Sequence, residues 1–195
     1  MTLIGIGAMA SPRYRPAGLL VECAQARVML DGGPRAAPRG ALDDWLVTDE
    51  QGELISAIRK AARRRGIEPA VRAFRHARFS ITPRRVVHTS HPAFGYLIRG
   101  PHASAVWAPE FYRFPRWARG ARLMFAEAAG WSRAIRFAGG VGGHAATLDV
   151  AKSAERAGVR RLVLAHVGRP TIRALERGET LPFGELGREG AVYFL

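Results

Sequence analysis

One cysteine, Cys23, stands in the 195 residues of this chain. A lone thiol excludes an internal disulfide and every multi-cysteine metal site. Within "LLVECA" it reads as a small apolar residue of the interior. Lysine is almost missing as well, with only Lys60 and Lys152, so the basic charge is carried by arginine. No apolar run approaches the ~20 residues of a membrane span. The opening "MTLIGIGAMA" lacks a basic leader region and enters a strand-like pattern at once, which argues against a signal peptide. A cytoplasmic location follows by default. No internal repeat, linker or low-complexity segment interrupts the chain, and one domain over residues 1–195 is expected.

Acidic residues are also few, 16 against 30 lysines and arginines, for a net charge of +14. Such a balance has two readings, a solvated basic surface or attraction for an anionic substrate or nucleic acid. The arginines are dispersed, with one local run at Arg63, Arg64 and Arg65. Strand-like runs fall at 2–7, 18–23, 27–32, 44–48, 70–74, 84–88, 94–100, 104–108, 122–127, 161–166 and 191–195. Two helices are signalled, from Glu50 to Arg65 with Gly66 as its stop, and from Ala145 to Ala157 with Gly158 as its stop. Strands dominate the first half and a strand-helix-strand unit closes the chain. That order predicts a layered α/β protein with mixed sheets covered by helices.

Several apolar strands end in a polar residue: Asp31 in "MLDGG", Glu110 after "VWAP", His166 in "VLAH". Side chains at strand ends, gathered at one rim, are where α/β sites are usually built. Taken singly, each has a plainer reading as the point where a strand leaves the core. In order along the chain, "IGIGAMASPRYRPAGLLVECAQARVMLDGGP", "DWLVTD", "VVHTSHPAFGYLI", "VWAPE", "ARLMFAEAAGW" and "GGHAATLDVAKSAERAGVRRLVLAH" resemble the metallo-β-lactamase fold. The resemblance is to its ribonuclease Z and small phosphodiesterase branch, and it covers most of the chain. It implies an αββα sandwich of two mixed sheets flanked by helices.

One motif departs. After the strand and Thr, that family carries His-x-His-x-Asp-His, which grips two metal ions. This chain has Asp49, Gln51, Glu53 and Leu54 there. Leucine cannot ligate, and carboxylate or amide oxygen suits harder ions than imidazole does. A full dinuclear zinc centre is therefore not expected; one divalent metal, manganese or zinc, is. Asp49 also reads as a helix N-cap, with Glu50 and Glu53 in the first turn.

The resemblance implies His88 or His91 as the middle histidine ligand, Glu110 in place of a bridging aspartate, and His166 as the final ligand. Asp49 remains a candidate ligand, and His144 matches a histidine that assists catalysis. Asp31 is expected to support the site by hydrogen-bonding its neighbours. His76 and His102 read as solvated. In "GGVGGH", Gly142 and Gly143 are either a cradle for an anion at a helix N-terminus or a close-packed turn. Two functions follow. One is a metal-dependent hydrolase of a phosphodiester or other ester. The alternative is a noncatalytic member that binds an anionic small molecule, nucleic acid or protein.

Overall fold

The computed structural model describes residues 1–195. One sheet holds β1 (Thr2–Gly5), β2 (Gly18–Cys23), β3 (Ala26–Asp31) and β4 (Asp44–Leu46), in that order. The other runs β13 (Glu185–Leu186), β12 (Leu162–Val167), β9 (Leu123–Ala128), β8 (Ser104–Ala108), β7 (Ala93–Arg99), β6 (Phe79–Val86), β5 (Phe74–His76). Both are mixed: β3 and β4 are parallel beside an antiparallel meander, and β8, β9, β12 and β13 are parallel beside β5 to β7.

Alternation along the strands explains the layers. Leu19 and Val21 of β2, with Val28 and Leu30 of β3, point into the core between the sheets. Their neighbours Leu20 and Met29 point outward and join Trp45, Ile55, Ile58 and Ala62 in a second cluster. That cluster is α1 (Ile55–Arg63) laid on the outer face of the first sheet. α2 (Thr147–Arg156) sends Val150, Ala151 and Ala154 into the main core against the second sheet, and α3 (Arg169–Glu176) sends Ile172. Each large side chain so buried contributes roughly 1.5–3 kcal/mol. The architecture is the expected α/β sandwich of two mixed sheets with flanking helices. No helix is long and apolar enough to cross a membrane.

Local differences have local causes. α1 begins at Ile55, not Glu50, because Asp49 Oδ1 accepts the Gln51 N–H at 2.7 Å and closes a turn. Glu50 leaves the helix to accept the Val71 N–H at 2.7 Å. The 70–74 run is mostly loop, joined to β4 by a single bridge between Leu46 and Ala70. Residues 191–195 form no strand of their own but one bridge, Thr2 to Val192. α3 was not signalled in the pattern; Pro170 in its first turn is its start mark. The carboxyl ends of β3, β4, β8, β9 and β12 share one rim, and the site lies there.

Candidate functional site

Glu110 leaves β8 through Pro109 and places its carboxylate between two imidazoles. Its Oε2 lies 3.3 Å from His88 Nε2 and its Oε1 lies 3.1 Å from His166 Nδ1. His88, two residues beyond β6, is buried and clasped by the chain opposite. Its Nδ1–H donates to the Gly143 carbonyl at 2.9 Å, and its own carbonyl accepts the Gly143 N–H at 2.8 Å. With Nδ1 committed as a donor, Nε2 must also carry a proton, or face a cation, to sit beside a carboxylate oxygen. Burial pushes His88 down, but the Glu110 hydrogen bond and charge outweigh it and raise its pKa to about 9. Burial likewise works to raise Glu110, and the charges of His166 and His88 reverse it, to about 2.

His166 ends β12 in the left-handed region, with φ 61°. The β12–β9 register breaks between Leu164 and Val167, so the extra residue turns out of the ladder toward the rim. A bulky residue in that conformation is strained, and such strain gathers at functional sites. Burial, the largest influence on it, holds the His166 pKa below the ordinary histidine value.

His144 lies in the short strand β11 (Gly143–His144), which pairs with β10 (Ile135–Arg136). Its ring stacks on His166 with centroids 5.3 Å apart and 19° between planes. Its Nδ1–H donates to Glu127 Oε2 at 2.8 Å. Glu127 stands inside β9, fully buried, and also accepts the Phe111 N–H at 3.1 Å and the Ala129 N–H at 2.8 Å. Burial opposes the charge on His144, yet Glu127 raises its pKa above the usual value. Glu127, His144 and His166 each offer a ligand atom within 4.8 Å of the others. Phe137 meets the His88 and His144 rings edge-on at 5.4 Å each and covers one side of the pair.

Asp31, at the end of β3 with φ 50°, lines the same cleft but commits its carboxylate to other partners. Its Oδ1 accepts from the Thr48 N–H at 2.7 Å and the Thr48 hydroxyl at 3.0 Å, and its Oδ2 accepts from Trp107 Nε1 at 2.6 Å. It ties the two sheets together at the rim. Burial pushes its carboxyl up to about 7 against those three donors.

Three solved structures share this architecture across almost their full length. A diphosphatase from the PhnP family superposes with a TM-score of 0.76 at 17% identity, covering 100% of this chain and 97% of that one. The metallo-β-lactamase fold protein YhfI from Bacillus subtilis gives 0.73 at 14%, covering 99% and 98%. The chain has the metallo-β-lactamase fold. Zn2+-bound PqqB from Methylobacterium extorquens gives 0.70 at 11%, covering 100% and 99%. No protein-family model and no curated protein sequence matches the chain.

On the metallo-β-lactamase rim, the residues singled out from sequence divide into two groups. His88, Glu110, His144 and His166 come together. Asp49 and His91 pair instead with each other, His91 Nε2 to Asp49 Oδ2 at 2.8 Å, on the wall of the same cleft. Leu54 lines that cleft and packs with the apolar cluster of α1. The glycines close a tight turn. A Cβ at Gly142 would lie 2.0 Å from the His88 carbonyl oxygen, and one at Gly143 would lie 1.8 Å from that of Ile135. The Gly143 N–H is already engaged by His88. The helix N-terminus is displaced to Thr147, where the Thr147 and Leu148 N–H groups donate to Gly130 and Trp131. The Gly143 amide is therefore not free to cradle an anion. His144 correspondingly sits in a strand rather than beginning α2.

Sequence reasoning gave Glu127 no role. Its signal was a lone carboxylate inside the apolar run "LMFAEA", which a strand tolerates only when the charge has dedicated partners.

Proposed function

We propose that residues 1–195 act as one domain, a metal-dependent hydrolase of a phosphodiester or other anionic ester with a single divalent ion. The observation that carries this reading is the Glu110 carboxylate spanning His88 and His166 beside the His144–Glu127 pair. The donor set fits the group. Imidazole nitrogen with carboxylate oxygen suits zinc or manganese. The separations of 3.1 and 3.3 Å, each to a different oxygen of Glu110, are close to the ~3.3 Å between two donors on one zinc at bonds of about 2.0–2.1 Å, so an ion fits between Glu110 and either imidazole. Glu110 with His166, or Glu110 with His88, would hold the ion, which when bound would supply Lewis-acid polarisation of the ester and acidify a water.

The remaining steps belong to the chain. His144 gives its Nδ1–H to Glu127, which leaves Nε2 to take up or return a proton, and the Glu127 charge stabilises the imidazolium that forms. Phe137 packs against two of the imidazoles, and Arg169, which lines the cleft, offers a cation to an anionic substrate. The substrate class agrees with the similarity to a diphosphatase. A second ion would find few free donors on the opposite wall, since Asp49 is engaged by His91 and the Gln51 N–H and Leu54 has no donor.

A second reading has its own support. Protonated His88 already neutralises Glu110, so the rim is satisfied without metal in a noncatalytic protein that binds an anionic ligand. Elemental analysis of protein purified without chelator or a metal-binding tag, together with hydrolysis of a generic phosphodiester, separates the two. The hydrolase reading expects near one equivalent of metal and manganese-stimulated turnover, lost in His144→Ala and His166→Ala with the fold intact. Equal background rates in all three proteins across several divalent metals would leave the binding reading.

A further inference from the structure

The catalytic-type residues sit at the carboxyl ends of the parallel strands; the opposite ends of the same sheet carry arginine. Arg75 and Arg78 flank the β5–β6 turn, Arg99 ends β7, Arg122 precedes β9, and Arg160 and Arg161 precede β12. All six are exposed. They line three adjoining clefts that share residues. Arg99 belongs to the cleft of Arg75 and Arg78 and also to that of Arg122, Arg160 and His102. Arg122 and Arg160 belong also to the cleft of Arg161 and Phe194. Of the six, only Arg161 has a carboxylate partner, Glu185 at 2.7 Å. Five unpaired guanidinium groups side by side repel one another, a cost that an anionic partner removes.

Dimensions and chemistry narrow the partner. From β6 through β7, β8 and β9 to β12 is four strand spacings of about 4.8 Å, or roughly 19 Å. That length spans several consecutive phosphates of one strand. Phe194, 86% exposed, opens its ring beside Arg122 and Arg160 at one end of the row. A basic track with an aromatic face is how single strands are held, the bases stacking while the backbone follows the charge. An acidic peptide would match the charge but would leave that face without use. We infer that this strip of strand ends is a docking track for single-stranded nucleic acid, remote from the rim by the ~17 Å length of β8.

The test is anisotropy of a labelled single-stranded oligonucleotide titrated with the full chain over a range of salt, in EDTA. The chelator makes the result independent of any hydrolysis at the rim. The combined Arg99→Glu, Arg122→Glu, Arg160→Glu variant is expected to weaken binding roughly tenfold or more. It should also reduce the slope of log affinity on log salt by about 2, from about 0.7 per lost phosphate contact. The charge-matched control Lys60→Glu, Arg63→Glu, Arg64→Glu, on the outer face of α1, should change both little. Phe194→Ala should weaken the single strand several-fold at unchanged slope and leave a duplex unaffected. The three arginines are also changed to glutamine, so that loss of binding is read against a variant without new charge. Equal losses from the two charge reversals, no binding at low salt, stronger displacement by polyglutamate than by unlabelled oligonucleotide, or no effect of Phe194→Ala would each overturn the inference.

Discussion

Replacing Glu127 by glutamine tests whether the proton-carrying pair is built as described. The side chain is fully buried, and its two oxygens take three donors: Ala129 N–H on Oε1, Phe111 N–H and His144 Nδ1–H on Oε2. Glutamine has the same shape but one oxygen. Setting that oxygen where Oε2 stood keeps Phe111 and His144 and turns the amide N–H2 against the Ala129 N–H. One buried donor is then unpaired, which costs about 1–3 kcal/mol. While His144 is protonated the variant also breaks a buried ion pair, for a total of about 3–5 kcal/mol.

The pH dependence has a definite sign. The folded pKa of His144 is raised by Glu127, so the ion-pair part is fully present below the ordinary histidine value of about 6.5. It is lost as pH rises through the raised value. The difference between wild type and Glu127→Gln is therefore largest near pH 5.5 and shrinks to the unpaired-donor part in alkali. At roughly 2–4 °C per kcal/mol for a chain of this size, the acid-side melting midpoint should fall by about 10 °C. Circular-dichroism melts of metal-free protein measure this, and NMR titration of the His144 ring should show its pKa dropping. Unchanged melting together with an unchanged His144 titration would refute the reasoning.

Glu110→Gln should flatten the pH profile of stability. The folded pKa of Glu110, about 2, gives a contribution present above its unfolded value of 4.5 and lost as pH falls through 2. That of His88, about 9, gives one fully present below 6.5 and lost as pH rises through 9. The two overlap in the Glu110–His88 pair, with His166 adding to the Glu110 shift, so urea melts should differ by about 2–3 kcal/mol near pH 5.5 and converge at either extreme. Asp31, raised to about 7 chiefly by burial, makes stability fall as pH climbs from about 4 to 7; the Glu110 charge adds to that shift, so the variant loses somewhat less over this window. Asp49→Ala should cost about 0.5–2 kcal/mol, the scale of losing a capping carboxylate. Its carboxylate closes the turn before α1 and holds His91. An unchanged midpoint with abolished metal binding would make it a ligand instead.

What was legible in the sequence follows the range of the forces involved. β2 and β8 have their expected bounds because an apolar run between turn residues is a local signal. Asp31, Glu110 and His166 were found because a polar residue closing such a run is local too. The start of α1 was misplaced because Asp49, Glu50 and Glu53 look like a helix first turn. The Asp49–Gln51 turn and the distant Val71 N–H decided otherwise. Whether His88 or His91 meets Glu110 could not be read, since both lie in one polar loop. The choice is made by Gly143, 55 residues on, which clasps His88, and by Asp49, 42 residues back, which takes His91. Glu127 went without a role for the same reason: its partners are remote in the chain, and only their convergence makes a buried carboxylate tolerable.

The two halves of the rim then obey one rule. A carboxylate taken out of water needs a positive partner, and either a proton on imidazole or a metal ion supplies it. On one side Asp49 has His91, the Gln51 N–H completes its hydrogen bonding, and Leu54 adds an apolar wall where a further ligand would stand. On that side the partners of the carboxylate are N–H groups of the chain itself. On the other side Glu110 faces His88 and His166 at separations that suit a proton or a divalent ion, and His88 Nδ1 is fixed by Gly143 in either case. Exchanging the proton for the ion there requires no movement of His88, because the ring is already held by its other nitrogen. The proposed single-ion centre therefore follows from the same electrostatic balance that keeps the rim folded without metal. Glu127 and His144 remain beside it as a pair whose proton can move.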